Sequence, residues 1–368
     1  MPAALTPARL RLARMHAQLL AGPPAAGVVG AVRGAAALQA QDLKASKLAV
    51  RARTSGLALA DVRRAVAEER SVIRTWAMRG TLHMIPTADA GWIVDLFGPV
   101  VLPRFRQRRI DLGLDDDLCE RAVRALPDLL ASGRPQTRPG VVAGLRESGV
   151  PVPADGQAPF HLLLFAALRG VVCRGPDTDA GEATYVLLRD WAGAWEPRDT
   201  DAALAKLARR HVSGYGPVGP EDFAVWSGLP AGQVRRAWDL VSPSLAEVAT
   251  DSGSAWALRE VADAFPSPRS RPAVRLLGPY DGYLLGYKER AWALPPESAR
   301  RILPGGGVIH PAVLADGEVV ARWRWRGDAV VIEPFAPLSE EAMAGVAAEV
   351  EDIGRFLGIR ATMDVAVG

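Results

Sequence analysis

The chain has 368 residues, room for two or three folding units at roughly 100–200 residues each, and 49% of it is hydrophobic, enough for several small cores. Its 44 Lys and Arg against 41 Asp and Glu give a net charge of +3, which does not announce a nucleic-acid partner. Two cysteines without CxxC spacing and five scattered histidines without HExxH argue against a disulfide framework and a structural metal site, and no organic cofactor is implied.

Most of the cations are arginines, whose forked donors suit phosphates and guanine edges. A GC-rich coding sequence would produce the same bias. No run approaches the roughly 18 apolar residues of a membrane span, and the Arg-rich start lacks a secretory apolar stretch, so a cytoplasmic protein is expected.

In chain order, Thr6-Pro7 predicts a helix start, with Thr as N-cap and Pro at the first helical position. Gly22-Pro23-Pro24 stops that helix. A second helix is expected after Asp42, and a third over LADVRRAVAEE, where Leu59, Val62 and Val66 share a face. SVIRTWAM, Arg79-Gly80 and TLHMIP predict a strand, a tight turn and a return strand. Three short helices followed by a hairpin is the winged-helix order. Thr87 is expected to cap a further helix.

The order returns over CERAVRALPDLLASG, a Thr137-Arg138-Pro139 helix start, the buried helix APFHLLLFAALRGVVCRG, and the strand TYVLLRDW after a polar turn. It returns a third time from ALAKLARRHVSGYG, through two short helices joined by Gly228-Leu229-Pro230, to a hairpin in SLAEVATDSGSAWALREV. Residues 267–272 read as a linker. Strands follow, with turns at Asp316-Gly317 and Gly327-Asp328, and a helix from about Ser339 to Phe356 closes the chain.

The expected fold class is therefore α+β, with three tandem winged helix-turn-helix units and a strand-rich C-terminal segment. The expected divisions are 1–110, 111–198, 199–266 and 267–368.

Four stretches carry candidate chemistry. In LQAQD, residues 38–42, Gln39 and Gln41 would diverge by about 200 degrees on a helix but share one face of an extended segment. With Asp42 capping the next helix, both amides would lie on one side. Two amide carbonyls can hold one water, although neither is a strong base. Amides that merely satisfy loop backbone have the same spacing.

Thr81 and His83 are also two apart on an expected strand, flanked by Arg74 and Arg79 around Trp76. His83 could bond a phosphate or support a water site, or simply pack at a domain junction. PRFRQRR places Arg104, Arg106, Arg108 and Arg109 around Phe105, as a DNA-backbone track or a solvated helix face. YDGYLLGYKER, residues 279–290 with its preceding Pro, suggests a structural lock between the C-terminal strands and a winged helix. His161, His211 and His310 have no evident partners and are expected to be structural.

LQAQD with its Ala- and Arg-rich helix, RTWAMRGTLHMIP, PYDGYLLGYKER and GGVIHPAVLADGEVVARW together resemble the AlkZ and YcaQ family of bacterial DNA glycosylases, in the same order along essentially the whole chain. The family's motif is Gln-aliphatic-Gln or Gln-aliphatic-Asp. Here it takes the Gln form, with the small Ala40 at its centre.

The resemblance implies hydrolysis of the N-glycosidic bond of N7-alkylated purines, including those in azinomycin-type interstrand crosslinks. It implies that Gln39 and Gln41 orient the water, with duplex DNA as partner. No lysine stands out for a Schiff base, so monofunctional chemistry on a monomer is expected. A winged-helix transcription regulator, or a protein that binds damaged DNA without cutting it, is the alternative. Two convergent amides serve no purpose in a regulator.

Overall fold

The computed structural model describes residues 4–267 and 272–366. Most of the expected linker, Pro268–Arg271, lies outside the described residues. The chain packs into two compact units: Arg63–Leu204, and a discontinuous unit formed by residues up to Val62 together with those from Ala205 onward. The first boundary falls inside the segment expected as the first winged helix.

In the contiguous unit, Val72–Trp76 and Leu82–Pro86 form the expected hairpin, with Trp76 opposite Leu82 and Val72 opposite Pro86. Its turn needs left-handed backbone at both Arg79 (φ 57°) and Gly80 (φ 73°). The helix expected from Thr87 instead starts at Ala90, because Thr87–Asp89 form a 3₁₀ turn and the Thr87 hydroxyl donates to the Arg70 carbonyl.

The second helix-helix-helix-strand order follows, except that the helix expected over APFHLLLFAALRGVVCRG ends at Leu168, and Val172–Arg174 of that run is a strand. Helix Asp116–Leu129 is capped by Asp115, and helix Arg138–Glu147 by Thr137. Helix Ala158–Leu168 is then followed by the strands Val172–Arg174 and Thr184–Leu187. Gln136–Thr137 pairs with the last strand, and Arg74 pairs with Arg174, so the first hairpin continues the second wing's sheet. The expected strand TYVLLRDW ends at Leu187 and turns into the short helix Leu188–Ala192.

The discontinuous unit opens with helix Pro7–Ala17, capped by the Thr6 hydroxyl. It stops before Gly22, where Leu19 takes a positive φ of 57°. Helix Gly27–Gly34 was not expected. Three glycines oppose it, but Val28, Ala31 and Val32 are buried. Helices Thr200–Tyr215, Pro220–Ser227 and Ala231–Val241 lead to the hairpin Leu245–Thr250 and Gly253–Leu258, the third winged-helix order. Gly228, at φ 68°, supplies the left-handed turn between the two short helices.

The C-terminal strands form one five-stranded sheet in the order Thr362–Val365, Ala329–Pro334, Glu318–Arg326, Ala312–Ala315 and Val274–Leu277. The first pair is parallel and the others antiparallel. Val346, Val350 and Ile353 of helix Glu340–Leu357 cover this sheet through Val274, Leu276, Trp323 and Ile332, and Leu48 joins the same core. Among the described residues no helix is long and apolar enough to cross a membrane.

Candidate functional site

The Gln39–Gln41 segment is extended, the conformation in which its two amides share a face. Leu38–Gln39 is a short strand, and Asp42 (φ −93°, ψ 114°) caps helix Leu43–Arg53 by accepting from the Ala45 N–H at 2.9 Å. The carboxylate adjacent to the amide pair is thus committed to the helix end. Ala40 is buried, Gln39 half-buried and Gln41 exposed, so the two amides share the outward face. Gln39 Nε2 donates to Gln41 Oε1 at 3.0 Å. That bond fixes one amide against the other. It also orients the Gln41 carbonyl, which retains a second lone pair.

The segment rests on a constrained base. Ala36 and Ala37 sit at φ 59° and 155°, where alanine is strained, and are held there by burial to 7% and 4% exposure. Helix Thr200–Tyr215 presses on this turn backbone to backbone. A Cβ on Gly214 would lie 2.5 Å from the Gly34 carbonyl oxygen and 3.3 Å from the Ala36 nitrogen. Only glycine permits that approach.

Helix Leu43–Arg53 is pinned in turn by its arginines. Arg51 reaches Glu349 at 2.8 Å, Asp352 at 3.2 Å and the Leu276 carbonyl at 2.8 Å. Arg53, fully buried, donates to both oxygens of Asp281 at 2.8 and 2.7 Å and to Gln18 at 2.8 Å. Burial works against the Arg53 charge, but Asp281 outweighs it and raises the guanidinium pKa.

Asp281 belongs to the YDGYLLGYKER stretch, which is the structural lock the sequence suggests. Tyr283 donates to the Gly317 carbonyl at 2.9 Å and Tyr287 to the Tyr215 carbonyl at 2.7 Å, while Arg14 stacks over Tyr287 and Trp292. The Asp281–Arg53 pairing escaped the sequence reading. An acidic residue inside an aromatic run is its only local signal.

In the other unit, His83 is buried and its Nδ1–H donates to the Thr81 carbonyl at 2.9 Å, leaving Nε2 as an acceptor. Burial, and then the nearby Arg79 charge, lower its pKa to about 3. It is a neutral imidazole at physiological pH, not a cationic phosphate ligand. The Thr81 hydroxyl donates to the Met78 carbonyl at 3.1 Å and serves the turn.

The arginines divide. Arg74 is turned inward, donating to the Gly175 carbonyl at 2.7 Å and to Asp177 at 3.0 Å. Arg109 is buried over the Phe165 ring and donates to the Leu102 carbonyl. The expectation that these two touch DNA is corrected: their charge is spent inside the unit. Arg79 is half-buried. Arg104, Arg106 and Arg108 are exposed, with Arg106 on Asp116 and Arg108 on Gln157.

His161 and His211 are buried, and burial lowers both pKa values, that of His211 to about 3. Both cysteines are free and buried. Among the described residues no three His, Cys, Asp or Glu side chains are grouped to hold a metal ion.

A family model described as "DNA glycosylase AlkZ-like" matches residues 32–356. An interstrand DNA cross-link repair glycosylase from Streptomyces sahachiroi is 28% identical, over 95% of each chain. The solved structure of the Streptomyces sahachiroi DNA glycosylase AlkZ is similar with a TM-score of 0.83 and 24% identity, covering 99% of this chain and 100% of that one.

Proposed function

Since this chain belongs to the AlkZ-like DNA glycosylases, we propose that it hydrolyses the N-glycosidic bond of N7-alkylated purines in duplex DNA, using a water held by Gln39 and Gln41. The observation that carries this reading is the 3.0 Å amide–amide hydrogen bond on an extended segment whose neighbouring carboxylate is engaged as a helix cap.

N7 alkylation leaves the purine cationic. When the C1′–N9 bond breaks, its electron pair neutralises the base, which departs uncharged. The sugar approaches an oxocarbenium ion. Water then bonds to C1′ and releases its proton to solvent. Departure of the base does most of the work, so the protein has to position the water more than deprotonate it. Two amide carbonyls, one oriented by the other, suit that task. The product is an abasic site, and the same step on a crosslinked purine frees one strand from the other.

The relative's description as a cross-link repair glycosylase favours the crosslink as substrate. The enzyme acts on this reading as a cytoplasmic monomer.

The test is a duplex with one N7-alkylguanine and a second duplex with one azinomycin-type crosslink, each incubated with the protein and then treated with alkali beside a protein-free control, because N7-alkylguanine is itself alkali-labile. Strand cleavage at the adduct, and separation of the crosslinked strands before alkali, are expected. Cleavage of the monoadduct duplex no greater than in the protein-free control would refute the proposal.

A further inference from the structure

We infer that the groove between the C-terminal end of helix Gly27–Gly34 and helix Thr200–Tyr215 is a phosphate-binding track for the DNA backbone beside the Gln39–Gln41 pair. The inference rests on the reading that the substrate is duplex DNA. The groove is a cavity of about 550 Å³ lined by Arg33, Lys206, Arg209, Arg210, Ser213 and Glu260 as its polar residues. Four cations face one carboxylate. That local excess of three positive charges makes the groove an electropositive wall.

The placement follows from helix geometry. Lys206, Arg209, Arg210 and Ser213 are spaced by three, four and seven residues and fall on one side of their helix. Leu204, Leu207, Ala208 and Val212 are buried on the other. A wall of cations on one helix side favours an anion in the groove.

The internal anion is a poor match for that role. Glu260 pairs with Arg209 at 2.7 Å, but their side chains are 55% and 48% exposed, so the pair is readily exchanged for a phosphate. DNA offers one negative charge per roughly 1.7 Å of its axis, a linear array that a stripe of cations can follow.

The groove also lies in the right place along the chain. Gly34 lines it, and Gln39 follows five residues later, a span of at most about 17 Å. A phosphate bound there is within about five base pairs of a lesion at the amide pair, at a rise of about 3.4 Å per pair. The close packing of Gly214 on the 34–36 turn joins the two features, so that the groove and the amides share one rigid base.

The test is the affinity of the full-length protein for an undamaged duplex, measured by fluorescence anisotropy across a salt series. The reporters are Arg33→Ala/Lys206→Ala/Arg210→Ala and Glu260→Gln, each checked by thermal unfolding. The triple variant is expected to flatten the slope of log Kd against log salt by about 2 to 3, at about 0.9 for each phosphate that is no longer neutralised, and to weaken low-salt binding at least about tenfold.

Glu260→Gln, which removes the competing carboxylate without removing a cation, is expected to tighten binding about two- to threefold. An unchanged slope in a folded triple variant would overturn the inference, and so would a Glu260→Gln protein that binds no tighter than wild type. Wild-type protein that binds with a steep salt slope yet leaves alkylated duplex intact would leave the groove standing and remove the proposed reaction. Excision by a folded triple variant with the wild-type slope would do the reverse.

Discussion

Gln41 holds its neighbour through its carbonyl, and that atom decides what a substitution does. An aspartate at this position keeps an acceptor oxygen for the Gln39 amide, which now donates to Gln41 Oε1 at 3.0 Å, though on a side chain one methylene shorter, and adds charge near the developing oxocarbenium ion. Gln41→Asp is therefore expected to retain turnover within about tenfold, while Gln41→Ala, which removes the acceptor, loses about 10²-fold, the scale of one positioned group. Single-turnover rates on N7-methylguanine duplex check both; equal loss in the two variants would mean that an acceptor oxygen at this position does not sustain turnover.

His83 and His211 set a pH dependence. Both are held near pKa 3 in the folded protein, against about 6.5 when unfolded. Between these values the unfolded chain binds the proton and the native protein does not. The stability they contribute is present above about pH 6.5 and is lost as pH falls toward 3, at up to about 1.4 kcal/mol per pH unit for each. Urea unfolding at pH 7, 6 and 5 should show the decline, and His83→Gln should reduce its slope by one proton. A stability that stays flat from pH 7 to 5 would contradict the buried neutral assignment.

Among the secondary-structure elements, helix Leu43–Arg53 ties the amide pair to the C-terminal sheet, and Arg53–Asp281 is its deepest anchor, with side chains 0% and 1% exposed. Removing one partner leaves a buried charge, so Asp281→Ala is expected to cost about 3–5 kcal/mol. Replacing both partners, as in Arg53→Met/Asp281→Leu, should recover much of that. Chemical denaturation of the two variants checks this; a cost below about 1 kcal/mol for Asp281→Ala would show that the pair anchors nothing.

The buried helix Ala158–Leu168 bears on the alternative of a regulator. Every residue from Ala158 to Leu168 except Phe160 is buried, so this third helix of a winged unit has no face left for a DNA groove.

These elements also show what was legible. The Asp42 cap, the Arg79-Gly80 and Asp316-Gly317 turns and the Ser339 cap are local devices, and each lies where its residues put it. Helix Gly27–Gly34 was hidden because its glycines disfavour it and only the packing of Val28, Ala31 and Val32 sustains it. Arg74 was misjudged because its partner, Asp177, lies 103 positions away, and no spacing rule reports such a distance. The basic stripe from Lys206 to Ser213 has visible helical spacing, but its counterpart Arg33 sits on the helix that was missed.

At the scale of the whole molecule, the N-terminal residues up to Val62 fold with the chain beyond Ala205, so the amide pair is built on a discontinuous unit. The order of most helices and hairpins was readable from their local signals. This division was not, because it depends on contacts across more than two hundred residues, such as Arg53–Asp281 and Arg51–Glu349. The resemblance in LQAQD, RTWAMRGTLHMIP and PYDGYLLGYKER agrees with the family match over residues 32–356.

On this reading a DNA glycosylase works here with two amides as its water site. The most direct measurement is free-base release from duplex DNA carrying one N7-methylguanine, under single turnover with protein in excess. It should be run on wild type and on Gln39→Ala/Gln41→Ala of matched thermal stability. Release by the wild type, slowed by at least about 10²-fold in the double variant with DNA binding retained, is the expected result. Equal rates from the two proteins would place the water elsewhere and rule out the amide pair as its site.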